Sequence, residues 1–311
     1  MQKEIAIEVK SLVKKYGDLT AVDGISFTVQ KGEVFAFVGP NGAGKTTTVE
    51  ILVCLRKLTS GEVMVLGFDV RDRKGQQQIR KRVGALPQDF NTFDLLSVKE
   101  NLNYYKKMYD RGMDVDELIE LVDLRDKTNA LYKNLSGGLK KRLAIATALV
   151  NDPEVVFLDE PTTGLDPRAR RDMWNVIEGL REQGKTVFLT THYMDEAEIL
   201  ADTVAIISFG KIIAIGTPSE LISKHGGKTT LVVEEGGKTV HDLLSQTLSD
   251  VRLENDGDVL ATLKKKSDLP DAVLALSKRK TSFAELTVRK PTLEDVFLNL
   301  TGKKIVEGEL H

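Results

Sequence analysis

The stretch Gly39-Pro40-Asn41-Gly42-Ala43-Gly44-Lys45-Thr46-Thr47 constrains the fold of this chain more than any other. Before it, Val34-Phe35-Ala36-Phe37-Val38 is short and continuously apolar, as a strand buried on both faces of a parallel sheet must be. After it, Thr47 to Leu58 carries Val49, Ile51, Leu52, Val53 and Leu55, which reads as a helix with a buried face. Glycines let the backbone turn tightly between the two, so that successive N–H groups point at one spot. The helix adds the positive end of its dipole, Lys45 can reach β- and γ-phosphates, and the Thr46 hydroxyl can ligate Mg²⁺. The spacing of Gly39, Gly44, Lys45 and Thr46 is that of a P-loop, and an α/β fold with a phosphate cradle follows.

With 311 residues, 41% of them hydrophobic, the chain can supply one large core and a second small one. A formal net charge of −2 leaves no basic excess for a phosphate backbone, so nucleic acid is not expected as a partner. Cys54 is the sole cysteine, which excludes an internal disulfide and points to packing within the helix after the cradle. The first residues alternate charged and apolar side chains and lack a signal-peptide core. No stretch reaches the ~20 apolar residues that span a bilayer, so any service to a membrane must run through another chain.

Taken in order, Glu4 to Val9 and Ile25 to Val29 alternate and predict antiparallel strands ahead of the cradle. Tyr16, beside a turn, can be an ordinary half-exposed aromatic. Gly61 to Val70 predicts a further β segment, Gln76 to Arg82 an exposed basic helix, and Val83 to Gln88 a strand with a polar end. Asp94 to Asp126 reads as largely helical. Ser136-Gly137-Gly138 opens a strong helix over Lys140 to Val150, either as a simple cap or as a second anion-binding helix end. Val155 to Leu158 predicts a buried strand running into Asp159-Glu160, where one carboxylate can orient Mg²⁺ and the other polarise a water. A helix over Arg168 to Gln183 precedes the strand Thr186 to Thr191, which delivers His192 to its end, a position open to structural or catalytic use.

Phosphate loop, Leu-Ser-Gly-Gly at Leu135 to Gly138, Asp159-Glu160 and His192, in that order, resemble the nucleotide-binding subunit of ABC transporters. The resemblance covers roughly residues 4 to 225. It implies ATP and Mg²⁺ as cofactors, with Gly39 to Thr47 as the Walker A motif, Asp159 and Glu160 as the Walker B pair, and Glu160 as general base. By the same resemblance, Gln88 is the Q-loop residue that senses Mg²⁺, Asp166 is a D-loop residue facing another subunit, His192 is the switch histidine, and Tyr16 stacks on adenine. Thr46, Gln88 and Asp159 are then the metal-side residues; Lys45, Gln88, Glu160 and His192 are the catalytic ones.

Position 139 is Leu139, where the family's signature usually has glutamine; Ser136, Gly137 and Gly138 remain to hold a partner's γ-phosphate. The family sandwiches each ATP between one subunit's P-loop and another's signature. One copy of each in this chain therefore implies a second copy of itself or a related ATPase subunit, together with a separate transmembrane permease. That places the chain on the cytoplasmic face of the membrane.

After Gly226-Gly227 the order of predicted elements becomes βαββαβ, which suggests a small α+β ferredoxin-like domain over residues 226–311, behind a nucleotide-binding domain over 1–225. The closing Pro291 to Gly302 is similar to the ending of drug-resistance and ABC-2 type exporter subunits. The competing function is a soluble ABC ATPase acting on ribosomes or DNA, for which the sequence offers no tandem ATPase domain, coiled coil or basic surface.

Overall fold

The computed structural model describes residues 4–279, 281–303, 305–306 and 308–310. By internal contacts the chain forms one unit of Met1–Pro218 with Ile305–His311, and another of Ser219–Lys304. The break thus falls ahead of the Gly226-Gly227 change in composition, and the last residues group with the first unit.

The first unit opens with an antiparallel pair, β1 (Ile5–Tyr16) and β2 (Leu19–Gln30), followed by β3 (Val34–Val38) and α1 (Lys45–Leu52). α1 ends earlier than the apolar pattern predicts, because Cys54 takes a left-handed φ of 60° that no helix continues through. Leu55, expected on its buried face, is instead exposed. β4 (Ser60–Val65) and β5 (Phe68–Asp69) complete a four-stranded sheet of order β2-β1-β4-β5.

α2 (Arg73–Arg82) leads into β6 (Val83–Leu86). The predicted long helical stretch then resolves into α3 (Val98–Lys106) and α4 (Val115–Leu121). Each has its own cap, a Ser97–Glu100 capping box and Asp114, and a second start requires a break between them. Gly112 lies in that break; a Cβ there would come 1.9 Å from the Val150 carbonyl oxygen, so the loop packs where only glycine fits.

α5 (Gly137–Leu149) begins at Gly137 rather than at Lys140, because Ser136 caps it. β7 (Val155–Asp159), α6 (Pro167–Glu182), β8 (Thr186–Thr191), α7 (Met194–Leu200), β9 (Thr203–Ser208) and β10 (Lys211–Gly216) follow. The central sheet has the order β10-β9-β3-β8-β7-β6.

Its strands separate two cores. Phe35 and Phe37 of β3, Phe157 of β7 and Phe188 of β8 face the antiparallel sheet and α1; Val34, Val156, Leu158, Val187 and Leu189 face the helices. This is period-2 alternation in strands buried on both sides, which is why they read as unbroken apolar runs. Phe27 of β2 stacks on Phe35 with ring centroids 5.3 Å apart, joining the two sheets. Each such fully buried side chain contributes roughly 1.5–3 kcal/mol.

The second unit contains most of α8 (Pro218–His225), then β11 (Thr230–Val233), α9 (Gly237–Leu244), β12 (Val251–Leu253), β13 (Val259–Thr262), α10 (Asp268–Lys278), β14 (Leu286–Arg289) and α11 (Leu293–Thr301). Its sheet runs β12-β13-β11-β14, antiparallel throughout, which is the strand order of a ferredoxin-like βαββαβ unit. Leu231, Val233, Val259 and Ala261 pack on Val240 and Leu244 of α9 and Ala272 and Leu276 of α10. The chain closes with a short hairpin, β15 (Ile305–Val306) and β16 (Glu309–Leu310).

Candidate functional site

β3, β8 and β7 lie side by side and parallel, so their C-terminal ends open on one edge of the sheet. Open α/β sheets bind ligands along that edge. Gly39 leaves β3, Asp159 closes β7 with Glu160 after it, and His192 follows β8.

The phosphate loop is shaped by close backbone packing. A Cβ on Gly39 would lie 2.2 Å from the Ile207 carbonyl oxygen; one on Gly44, at φ 106°, would lie 2.5 Å from that of Ala21. Gly44 is also the N-cap of α1 and supplies no side-chain bond, so the amides of the first turn are left for an anion. Pro40 and Ala43 are buried, Asn41 and Gly42 exposed, Thr47 half-buried. The Asn41 amide donates to the Gly308 carbonyl of the closing hairpin at 2.5 Å.

Lys45 is buried, and its Nζ donates to the Gly39 and Pro40 carbonyls at 2.7 and 3.1 Å and meets Glu160 Oε1 at 3.0 Å. Glu160 Oε2 lies 3.2 Å from His192 Nδ1 and accepts from the Thr163 hydroxyl at 3.1 Å. Burial raises the Glu160 carboxyl pKa, but the His192 hydrogen bond and the charge and hydrogen bond of Lys45 outweigh it and hold it down to about 2. Burial likewise lowers the Lys45 ammonium against the pull of Glu160. Glu160 itself has a φ of 49°, a left-handed conformation that a non-glycine residue adopts at a cost.

Asp159 accepts from the Thr190 hydroxyl at 2.5 Å, and burial raises its pKa against hydrogen bonds from Thr190 and Thr46. Thr46, exposed at the start of α1, therefore shares a corner with one buried carboxylate. Among the described residues no group of three or more His, Cys, Asp or Glu could hold a metal. A hydroxyl, a single carboxylate and a nearby phosphate fit Mg²⁺, which keeps waters and takes phosphate oxygens rather than an all-protein cage.

The remaining candidates lie apart from this cluster. Gln88 is exposed beyond the end of β6, and Lys141 Nζ grips its backbone carbonyl at 2.8 Å. Ser136 and Gly137 are exposed at the start of α5, where Ser136 Oγ accepts weakly from the Leu139 amide at 3.4 Å. A Cβ on Gly138 would sit 3.2 Å from the Ala169 Cβ, so this glycine lets α6 approach the signature. Asp166 caps α6, accepting from the Arg168 and Ala169 amides at 2.9 Å each. Tyr16 ends β1, with Lys14 Nζ 4.8 Å and the Arg56 guanidinium 5.2 Å from its ring centre. Leu139 packs against the helical core, an apolar contact that accounts for leucine at that position.

Sequence reasoning missed Lys141, Thr163 and Thr190. The signal for Thr190 was present: after the apolar Val187-Phe188-Leu189 two threonines close the strand, beside Asp159 in the sheet. Lys141 offered none, because its contact crosses between α5 and the Gln88 loop.

A three-strand edge with a phosphate loop, a buried Lys–Glu–His cluster and an exposed second glycine helix end defines an ATP-hydrolysing cassette. The chain belongs to the ABC transporter family, as an ATP-binding subunit. The family model described as "ABC transporter" matches residues 22–163. The daunorubicin resistance ATP-binding protein DrrA3 of Streptomyces coeruleorubidus is 37% identical over 307 residues, 96% of each chain. Nod factor export ATP-binding protein I of Rhizobium meliloti (strain 1021) is 40% identical over 308 residues, 97% of this chain and 89% of that one. Among solved structures, the ADP- and Pi-bound dimer of the ATP-binding cassette MJ0796 superposes with a TM-score of 0.61 at 28% identity, covering 68% of this chain and 98% of that one. The cbiO1 subunit of Clostridium perfringens gives 0.65 at 28% identity, over 71% and 92%.

Proposed function

We propose that this subunit hydrolyses ATP in a Mg²⁺-assisted sandwich with a second cassette and thereby drives export through a separate permease. The observation that carries the reading is the buried Glu160 carboxylate held between Lys45 and His192, beside an amide-lined loop. Lys45 is the cation for the β- and γ-phosphates; when it turns to them, Glu160 loses its strongest counter-charge and becomes available as a base. Glu160 then accepts the proton of the attacking water as its oxygen bonds the γ-phosphorus and the bridge to ADP breaks. His192 orients that carboxylate and reaches the γ-phosphate. Thr46, Asp159 and Gln88 are the residues that would hold Mg²⁺, which neutralises charge across the phosphate oxygens when bound.

Tyr16 is assigned to the adenine face. Its ring already stacks with cations at an exposed position, as a base-stacking aromatic would. Ser136, Gly137, Gly138 and Asp166 are assigned to the partner's nucleotide, because Ser136, Gly137 and Asp166 are solvent-facing at their helix starts. A homodimer or a heterodimer satisfies this equally.

For the permease, an open groove of ≈ 540 Å³ beside Gln88 is lined by Val53, Leu55, Arg80, Pro87, Phe90 and Tyr105 among others. An apolar floor with aromatic walls fits a short amphipathic helix from a membrane protein. No helix among the described residues is long and apolar enough to cross a membrane. Export, and a position on the cytoplasmic face of the membrane, follow from the exporter relatives by analogy.

The test is Glu160→Gln. Steady ATP turnover should fall about 10²–10⁴-fold while nucleotide binding persists and a nucleotide-bound dimer accumulates on size exclusion. Turnover close to wild type would remove Glu160 as the base.

A further inference from the structure

One fully buried carboxylate among the described residues stands outside the Lys45–Glu160–His192 cluster. Glu196, on the first turn of α7, has no exposed surface, and burial raises its pKa against hydrogen bonds from Thr191, Thr162 and Trp174. Its Oε1 accepts from the Trp174 indole of α6 at 3.1 Å. Its Oε2 and the Thr162 Oγ1 are both buried without a hydrogen bond of good geometry to another described residue. Polar atoms are seldom buried so deeply unless the groups around them have work to do.

The elements that meet at Glu196 are the start of α7, just after His192, and α6, which follows the Glu160–Asp166 loop. α7 starts directly behind His192, and the Thr191 carbonyl accepts from the Gly39 amide at the mouth of the phosphate loop at 3.2 Å. Thr162 stands between Glu160 and Asp166, and α6, which carries Trp174, is capped by Asp166. A second contact joins the same two elements: Arg170 of α6 stacks over Tyr193, 4.9 Å from its ring centre, and over Trp174 at 5.9 Å, and pairs with Asp195 at 3.7 Å.

We propose that Glu196 is a positioning residue that locks the His192 strand end to the Thr162–Asp166 loop, so that the switch histidine and the partner-facing loop move as one body. An apolar side chain of the same size would fill the space but leave the Trp174 N–H without its acceptor. The two elements would then shift separately, and a displacement of the base's companions by a fraction of an ångström is enough to slow the chemistry. The assignment rests on the reading of His192 and Asp166 as parts of the hydrolytic site.

The experiment compares Glu196→Met, Glu196→Gln, Trp174→Phe and His192→Ala in the full chain, each measured for ATP affinity, steady turnover and melting temperature. Glu196→Met should lower kcat about 10–100-fold with KM for ATP unchanged. Glu196→Gln, which keeps an acceptor for the indole, should recover most of the loss. Trp174→Phe should give a smaller kcat defect of the same kind, and serves where Glu196→Met does not fold. Wild-type kcat in folded Glu196→Met, a parallel loss of ATP affinity and melting temperature with kcat, or no recovery by glutamine overturns the proposal. Should His192→Ala itself leave turnover intact, the reading of the site fails; a defect in His192→Ala with none in Glu196→Met sinks the coupling alone.

Discussion

The chain has two glycine-rich helix ends, and the difference between them divides the labour of the molecule. The Gly39–Thr47 loop is walled in: Gly39 and Gly44 press on the Ile207 and Ala21 carbonyls, and Lys45 is buried on Glu160. Ser136 and Gly137 face solvent, and nothing lies within 4 Å of where a Gly137 Cβ would be. The same helix-end electrostatics serve both. Enclosure makes the first a binding site within one chain. Exposure leaves the second free for the partner contact proposed above.

Substitutions at the two ends should therefore separate. The largest effect belongs to Lys45→Ala, which should weaken ATP binding to a single chain by about 10–100-fold by removing a buried charge-assisted donor. Isothermal titration measures it, and near-normal affinity would dissolve the contrast. Gly137→Asp, with open space for its side chain, should leave single-chain affinity within about twofold yet cut turnover about tenfold or more, because a carboxylate at that helix end repels the partner's phosphates. A loss of single-chain affinity would mean that the signature already belongs to its own chain's site.

Leu139→Gln is a milder probe. Leu139 packs on the helical core, so glutamine should cost about 1 kcal/mol of stability in a denaturant titration and leave turnover within about threefold. A large gain in turnover would instead mark the native signature as attenuated. The smallest effect concerns Cys54, buried behind the phosphate loop, whose thiol is pushed up to about 11. Only the thiolate reacts, so alkylation in the folded chain should be slow at pH 8 and still rising above pH 9. Rapid labelling at pH 8 would show that the helix behind the loop opens.

Much of the site was legible because its parts are local in sequence. Lys45 and Thr46 follow a glycine turn, Asp159 and Glu160 leave an apolar run, and His192 leaves another; each signal needs only a dozen residues. Element boundaries were less legible where a backbone contact decided them. Cys54 ends α1 with a left-handed φ that composition does not announce, and Gly112 breaks the helical stretch because α5 ends against it. Glu196 was hidden more thoroughly. In sequence it is one of three acids, with Asp195 and Glu198, soon after His192; in the fold it has no surface at all.

The sequence by itself determined that each chemical group stands at the end of a buried strand or the start of a helix, since propensity, glycine turns and apolar runs act over short range. It also determined that one phosphate loop and one signature share a chain. Only the tertiary structure decided that β3, β7 and β8 are neighbours, and therefore that Glu160 meets Lys45 on one side and His192 on the other. Strand order and register are set by packing between residues far apart in sequence, and period-2 alternation reveals which faces are buried without naming the neighbour. The glycine spacing alone marked the phosphate loop as a cradle. The neighbouring strands set Glu160 against its lysine and His192 beyond it.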